Sequence, residues 1–456
     1  MKRALLFVLC FLCLIRSVPA ESIPETAAGC RVFINGTEIT TVYETAVCHQ
    51  RFWSAEPELS STPVAIAPLD APGKIELEFS GADVQTAVVR PLSLGIVPQV
   101  RDGRVCFHVN EPANLTVEYN GQVAGALHLF LHPPVSDRPE PDAPRVRYFG
   151  PGVWRDQLLT VRSNETIYLD EGCVLYGQIY CGLGHDFTIA GHGVLCGSIY
   201  DRYEDTLVPV NLSNCNNFTI RDITILDPSA WTFNLLKCRD AVIDNVKIVS
   251  ARSNSDGFTF QNCQNILVRN SFVRSWDDSL VIKGYGGDSG GITFDGCTLW
   301  TDLAQSCEIG YETRARFIED ITFRNITVLH AFHKPVISIH NSDHACVRNI
   351  LFEHITVEDA QLGEGDGTPY LIELSTSESQ WSATARRGTI DHVEISDVRV
   401  LSGRKPGIRI WARDETSPID HVHIHDLVIL GEAITGFDQL ESVLSPWNGA
   451  DIGFTD

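Results

Sequence analysis

Beyond its first 20 residues the chain has no apolar run long enough to cross a bilayer, no Cys-x-x-Cys pair and no basic stretch longer than pairs such as Arg386-Arg387. The first lack excludes a later helical membrane span, which needs about 18 to 20 apolar residues. The second argues against zinc-ribbon and thioredoxin-type chemistry. The third, with a formal net charge of -23, makes nucleic acid and anionic lipid poor partners. A polyanionic substrate would then depend on a local basic pocket. Amphipathic helical stretches of about 10 to 15 residues are also missing between the apolar segments, which excludes an α/β sheet.

What is present begins with MKRALLFVLCFLCLIRSVPA, two cations followed by an apolar stretch from Ala4 to Ile15 and a Val18-Pro19-Ala20 end. This reads as a secretory signal peptide over 1–20, better than as a membrane anchor because the run is short. The expected location is secreted or periplasmic. Twelve of the 14 cysteines follow it. An exported protein can pair some of them, Cys30 with Cys48 being one candidate, but Cys also packs as a small apolar residue inside a solenoid.

Short alternating stretches, Lys74 to Phe79, Thr86 to Arg90, Arg104 to Val109, Leu115 to Tyr119 and Ala126 to Leu131, are broken by Gly, Pro and Asn. They predict a small antiparallel β-sandwich over 21–135. The connector HPPVSDRPEPDAP at 132–144 is proline-rich and suits a stiff, solvated link. Over 136–456 the pattern becomes repetitive: FTIAGHGVLCG from Phe187, FTIRDITILDP from Phe218, AVIDNVKIVSA from Ala241, ILVRNSFVRSW from Ile266, ITFRNITVLH from Ile321 and VHIHDLVILG from Val422 are examples. Their starts cluster about 25 to 30 residues apart. Paired β-branched triplets at a steady period without helices predict a right-handed parallel β-helix, coils stacked about 4.8 Å apart. Asn and Asp at the turns are expected to form interior ladders.

Three carboxylates stand out, in Asn254-Ser255-Asp256-Gly257 and Trp276-Asp277-Asp278-Ser279. The separation of 21 between Asp256 and Asp277 is close to one coil, which would stack them on one surface. Adjacent strand residues face opposite sides, so Asp277 and Asp278 can both reach solvent only where a strand ends or bulges. Clustered like charges repel, so at least one should keep its proton near neutrality, as a general acid must. An exposed acidic turn is the competing reading, weakened by the one-coil offset. No metal is implied there, because the further ligands of a calcium loop are missing, and no cofactor is implied.

The segments NSDGF and WDDSLVIKG resemble the Asn-Thr-Asp-Gly and Asp-Asp-x-x-x-x-Lys motifs of glycoside hydrolase family 28, the polygalacturonases and their relatives. The resemblance runs from about Gly150 to the C-terminus. The preceding sandwich resembles the arrangement in bacterial members and in family 49, the dextranases and isopullulanase. It implies an inverting hydrolase, with Asp277 as general acid and Asp256 and Asp278 activating water; Lys283 matches the family lysine and would hold the carboxylates. Inversion needs roughly 6.5 to 9.5 Å between acid and base, which side chains splaying from stacked coils can supply.

Two departures bear on substrate. Gln305 stands where the family has the histidine of Gly-His-Gly, and Ser338-Ile339-His340 stands where it has Arg-Ile-Lys. In pectin-cleaving members that arginine and lysine hold the uronate carboxylate. Their replacement points to a neutral or mixed glycan, because a carboxylate without a paired cation binds poorly. Asn254, Gln305, Glu308, Glu312, His340 and Trp276 are expected to bind substrate with Lys283; His333 is a further candidate near the cleft, and Tyr285, Trp300 and Tyr311 could stack on sugars. The loops Gly363 to Tyr370 and Ser375 to Arg387 are long enough to close one end of a groove. Alternatives are a polygalacturonase proper, a polysaccharide lyase and a glycan-binding β-helix without catalysis. A lyase needs a strong base with cations to stabilise an enolate, and this face is acidic. The expected partner is a polysaccharide or oligosaccharide. The sequence does not indicate an oligomeric state.

Overall fold

The computed structural model describes residues 29–53 and 57–455; segment 1–20, which the sequence leads one to expect to be a signal peptide, lies outside them. Among the described residues no helix is long and apolar enough to cross a membrane. Two five-stranded sheets come first, with Val32, Ile75, Leu77, Val105 and Phe107 of one facing Leu115, Val117, Leu127 and Leu129 of the other. Strand alternation puts these side chains on the inner faces, as in any sandwich. The pairs are antiparallel except for Leu59–Pro68 with Gln122–His132, which run parallel with Val64 opposite His128.

From Val146 onward 29 strands form one continuous sheet wound on itself, all but Glu432–Ile434 pairing in parallel with a counterpart on a neighbouring coil. Parallel crossovers of this kind are right-handed. The result is the expected right-handed parallel β-helix. Its interior is apolar and in register: Phe294, Phe323 and Phe352 stack on successive coils at 5.1 and 5.0 Å. The last full strand, Ile419–Ile429, is closed by an antiparallel return, Glu432–Ile434.

Two expectations need correction. The Asn and Asp ladders lie along the outer turns: Asn265 donates to Asp240 at 3.0 Å and Asn349 to Asp320 at 3.0 Å, all four exposed and in left-handed conformation. Asn and Asp tolerate that conformation, and their short polar side chains reach the next coil, whereas the interior has no room for unpaired polar groups. Cys30 and Cys48 are both buried and both free; the other ten described cysteines are free too, and all of those but Cys106 and Cys346 are buried. Cys215, Cys238 and Cys263 occupy one interior position on three successive coils, flanked by the register pairs Asn216–Arg239 and Arg239–Gln264. They pack as small apolar residues.

The sandwich lies along one face of the solenoid. Tyr43, Val47, Ile66 and Phe130 pack on Leu226, Val249, Phe272 and Trp300. Within this contact Arg274 and Asp302, both fully buried, pair at 3.0 Å. Arg274 also stacks over Trp300 at 4.1 Å and reaches His128 of the sandwich at 3.2 Å. Trp300 is therefore a contact residue between the two parts, not a sugar platform, because no solvent reaches it.

Candidate active site

The three aspartates sit where strands begin. Asp256 precedes Phe258–Gln261, and Asp277 and Asp278 fill the turn between Phe272–Ser275 and Leu280–Tyr285. Phe258 pairs with Leu280, so Asp256 lies in register with Asp278 one coil on, an offset of 22 residues (278 - 256). The Gly257 amide donates to the Asp278 carbonyl at 2.8 Å. A Cβ at Gly257 would stand 2.3 Å from the Ser279 carbonyl, so only glycine lets the coils close here. The turn frees both aspartates from strand alternation, and both side chains line the same groove.

That groove has a volume of about 650 Å³ and contains Asn254, Lys283, Gln305 and Glu312 as expected. A larger hollow of about 940 Å³ lies on the sandwich around Lys74, Glu76 and Arg104, but it gathers no carboxylate cluster. The Asp277 carboxylate accepts the Asp278 amide at 2.9 Å and the Asn254 side-chain amide at 3.5 Å. Asp278 accepts the Gln305 amide at 3.2 Å. Lys283 lies 3.6 Å from Asp256 and 3.3 Å from Glu312, with Trp231 beneath its ammonium at 5.4 Å. Tyr285 donates its hydroxyl to Glu312 at 2.8 Å.

A bulge brings in the far wall. Ile282 pairs with Ile309 and Gly284 with Thr313, so Lys283 alone faces three residues, Gly310, Tyr311 and Glu312. The surplus is pushed outward, which is how a strand re-aims side chains. Gly310 has φ +137°, and a Cβ there would lie 2.3 Å from the His340 carbonyl. Tyr311 then faces the groove and accepts the Gln305 side-chain amide at 3.0 Å.

Electrostatics follow from this crowding. Burial pushes the Asp277 carboxyl up to about 7, with Asp278 beside it adding to the effect. Burial likewise raises Asp256 to about 7 although Lys283 pulls the other way. Asp278 too is raised well above the ordinary carboxyl range, by burial and then by Glu308 and Asp256. Burial opposes the Lys283 charge, but Asp256 and Glu312 outweigh it and hold the ammonium protonated.

Three expected substrate contacts lie elsewhere. Glu308 is fully buried behind Tyr311, accepting from the Ser338 hydroxyl and lying 3.0 Å from His340 Nδ1. His340 stacks on Tyr311 at 4.2 Å and faces Glu373 at 3.7 Å. Its pKa rises to about 10, because Glu308 and Glu373 overcome the burial that disfavours its charge. Ser338 and His340 thus support the wall and present no cation to the groove. Trp276 is 1% exposed, packed with Cys48, Ala251 and Leu303, and covered by Trp53 at 5.1 Å. His333 is buried too, bonded to the Leu303 carbonyl at 2.7 Å and Asp366 at 2.6 Å.

Sequence reasoning missed Trp53, Arg202, Trp231 and Lys334, which line the groove with Trp381. Trp53 comes from the sandwich part. Its amide donates to Asp366 at 3.2 Å, and Arg51 reaches Glu364 at 3.3 Å. The loop Gly363 to Tyr370 therefore anchors Trp53 over the groove, while Ser379, Gln380 and Trp381 of the other long loop form its rim. Arg202 donates to Asn254, and neither Arg202 nor Lys334 has a carboxylate in ion-pair reach among the described residues. Coil order places Arg202 before the aspartates and Lys334 after them. No local motif signals either residue.

The sequence model of Glycosyl hydrolases family 28 matches residues 197–427, which include all three aspartates. Rhamnogalacturonase A of Aspergillus niger is 26% identical over 249 residues, 52% of this chain and 51% of that protein. Rhamnogalacturonase A of Aspergillus aculeatus is 22% identical over 234 residues, 49% and 48% respectively. The chain spans about half the length of these curated relatives. Among solved structures, Dex49A from Penicillium minioluteum superposes with a TM-score of 0.55 at 15% identity, covering 94% of this chain and 93% of that one. That likeness is one of fold.

Proposed function

Because the chain belongs to the glycosyl hydrolases of family 28, we propose that it hydrolyses a glycosidic bond in a pectin-type polysaccharide containing both uronate and neutral sugar, with inversion at the anomeric carbon. The observation that carries this reading is the buried trio Asp256, Asp277 and Asp278 on two adjacent coils, neighbouring a single lysine.

The chemistry assigns itself by environment. Asp277, held near 7 by burial and by Asp278, keeps its proton in mildly acid solution and can give it to the leaving oxygen. Burial, Glu308 and then Asp256 raise the Asp278 carboxyl well above the ordinary range, so Asp278 is the member of this pair that keeps its proton. Lys283 favours the anion on Asp256, which makes Asp256 the base. Water loses one proton to Asp256 while its oxygen bonds to the anomeric carbon; the departing oxygen takes the Asp277 proton. Solvent then resets both carboxyls.

Substrate follows from what the groove offers. Next to the aspartates Gln305 and Tyr311 present neutral donors, and Ser338 and His340 are turned away to Glu308. A neutral sugar fits there. Arg202 and Lys334 lie on either side with no carboxylate partner of their own among the described residues, and each suits a uronate. Two relatives are named for rhamnogalacturonan, a polymer of this mixed kind. Export from the cell, expected from 1–20, belongs to the same proposal.

The test is turnover of rhamnogalacturonan, polygalacturonate and dextran side by side, with the first-formed anomer read by NMR. Cleavage of the mixed polymer with inverted product is expected. Strong turnover of polygalacturonate alone, a retained anomer, or an unsaturated product absorbing in the near ultraviolet would overturn it.

A further inference from the structure

The outer turn of the solenoid carries one ladder through successive coils: Asp186, Asn217, Asp240, Asn265, Gly291, Asp320 and Asn349, each flanked by strand pairs in register. Apart from Gly291, its bonds are of one kind, a side-chain amide donating to a carboxylate one coil away, as Asn217 does to Asp186, Asn265 to Asp240 and Asn349 to Asp320. On the next two coils the same position is taken by His392 and His421. Both keep the left-handed backbone of the ladder, with φ 53° and 49°. Their rings stack at 4.6 Å with 20° between planes.

A single carboxylate serves both rings. Asp391 Oδ2 lies 2.9 Å from His392 Nδ1, and Asp391 Oδ1 lies 2.7 Å from His421 Nδ1. One carboxylate oxygen and one ring nitrogen from each histidine lie within 4.8 Å of one another. Both imidazoles are exposed to solvent, at 59% and 43% of their side-chain surface. We propose that Asp391, His392 and His421 form a binding site for a borderline divalent transition-metal ion such as zinc, which ties the two coils together.

Ligand type selects the ion. Two imidazoles with one carboxylate suit zinc, nickel or copper, whereas calcium and magnesium take all-oxygen sets. Solvent exposure leaves the remaining positions to water, and rotation of exposed side chains closes the span to bonding distance. The location gives the ion something to do. Strands near the end of a solenoid have fewer stacked neighbours beyond them to oppose fraying. An ion shared by His392 and His421 adds a bond between adjacent coils where the ladder has lost its amide. The groove is built from other residues, so activity should not depend on this ion.

The ladder supplies the test, because Asn is the residue already used at this position on earlier coils. His392→Asn and His421→Asn should therefore fold. Untagged full-length protein is stripped with chelator and titrated with zinc chloride by calorimetry, with thermal unfolding followed in parallel. One zinc per chain at micromolar affinity is expected, with a rise in Tm on addition. Each variant should weaken binding at least about tenfold and abolish the Tm rise, with hydrolytic activity unchanged. The proposal falls if the unsubstituted protein takes up no zinc at micromolar concentration. It falls equally if both variants bind as tightly as the parent, which would put the ion in the groove or on Glu394, whose carboxylate lies 2.9 Å from His423 Nδ1 and 3.0 Å from His425 Nε2.

Discussion

Asp256 and Asp278 occupy one register position on neighbouring coils, joined by the Gly257 amide donating to the Asp278 carbonyl at 2.8 Å. Burial within the stacked coils raises the proton affinity of both carboxyls, and Asp256 adds to it at Asp278. Asp277, one residue outside this register, is the member free to act alone.

Asp277→Asn should lower kcat by about 10² to 10⁴ while leaving the fold intact. It should also stabilise the protein above neutrality. A folded pKa near 7 against an unfolded value near 3.8 means the native state binds more protons between those limits. Stability therefore falls as pH rises through that window, by at most about 4 kcal/mol for this group. The gain in Tm from the substitution should be larger at pH 8 than at pH 4.5. Undiminished kcat would remove the acid assignment.

Activity should decline as pH rises past about 7, where Asp277 loses its proton. On the acid side it should fall as Asp256, also near 7, takes one up. Overlapping values give a narrow bell in kcat/KM rather than a plateau, since only a minority of molecules hold both states at once. A broad flat optimum extending to pH 9 would contradict it.

Arg202→Ala and Lys334→Ala should each raise KM on a uronate-bearing oligosaccharide by about tenfold, consistent with loss of one charge-assisted contact of ~1.5 kcal/mol. The same variants should leave KM unchanged on substrate whose carboxyls have been reduced to alcohols. Equal effects on both substrates would show that these cations do not read carboxylate.

Asp366→Ala removes the acceptor of the Trp53 amide and the partner of His333. Loss of Trp53 from its place should cut kcat/KM about tenfold, ~1.4 kcal/mol, and Trp53→Ala should do the same without a further loss in the double variant. Additive losses would mean that Asp366 acts by another route.

Asp302→Asn leaves the buried Arg274 guanidinium without its counter-charge. A loss of about 3 to 5 kcal/mol is expected in urea unfolding. A change under 1 kcal/mol would mean that water reaches this contact.

Much of this was legible in one dimension. Phe294, Phe323 and Phe352 recur at the period of the coil, and Asp256 and Asp277 stand about one coil apart, so periodicity alone brought the acids together. The correct partner in register is Asp278, a one-residue difference that periodicity with variable turns could not resolve. Trp276 and Trp300 read as sugar platforms because an aromatic beside an acid has the same letter whether it is covered or open. Their covers in the sandwich, Trp53 on Trp276 and His128 on Trp300, stand 223 (276 - 53) and 172 (300 - 128) residues away in the chain.

Repeat length, β-branched triplets and the absence of helical segments determined, without coordinates, that this chain winds into a parallel solenoid with its acids on one side. Those are local and periodic properties, carried by residues that meet equivalents one coil on. The tertiary structure alone decided what surrounds the acids: the bulge that exposes Tyr311 and Glu312, the inward turn of Ser338 and His340 toward Glu308, and the placement of Trp53, Arg202 and Lys334 around the groove. These depend on how the sandwich packs along the coils and where strands bulge. Such contacts join distant parts of the chain and leave no period to read.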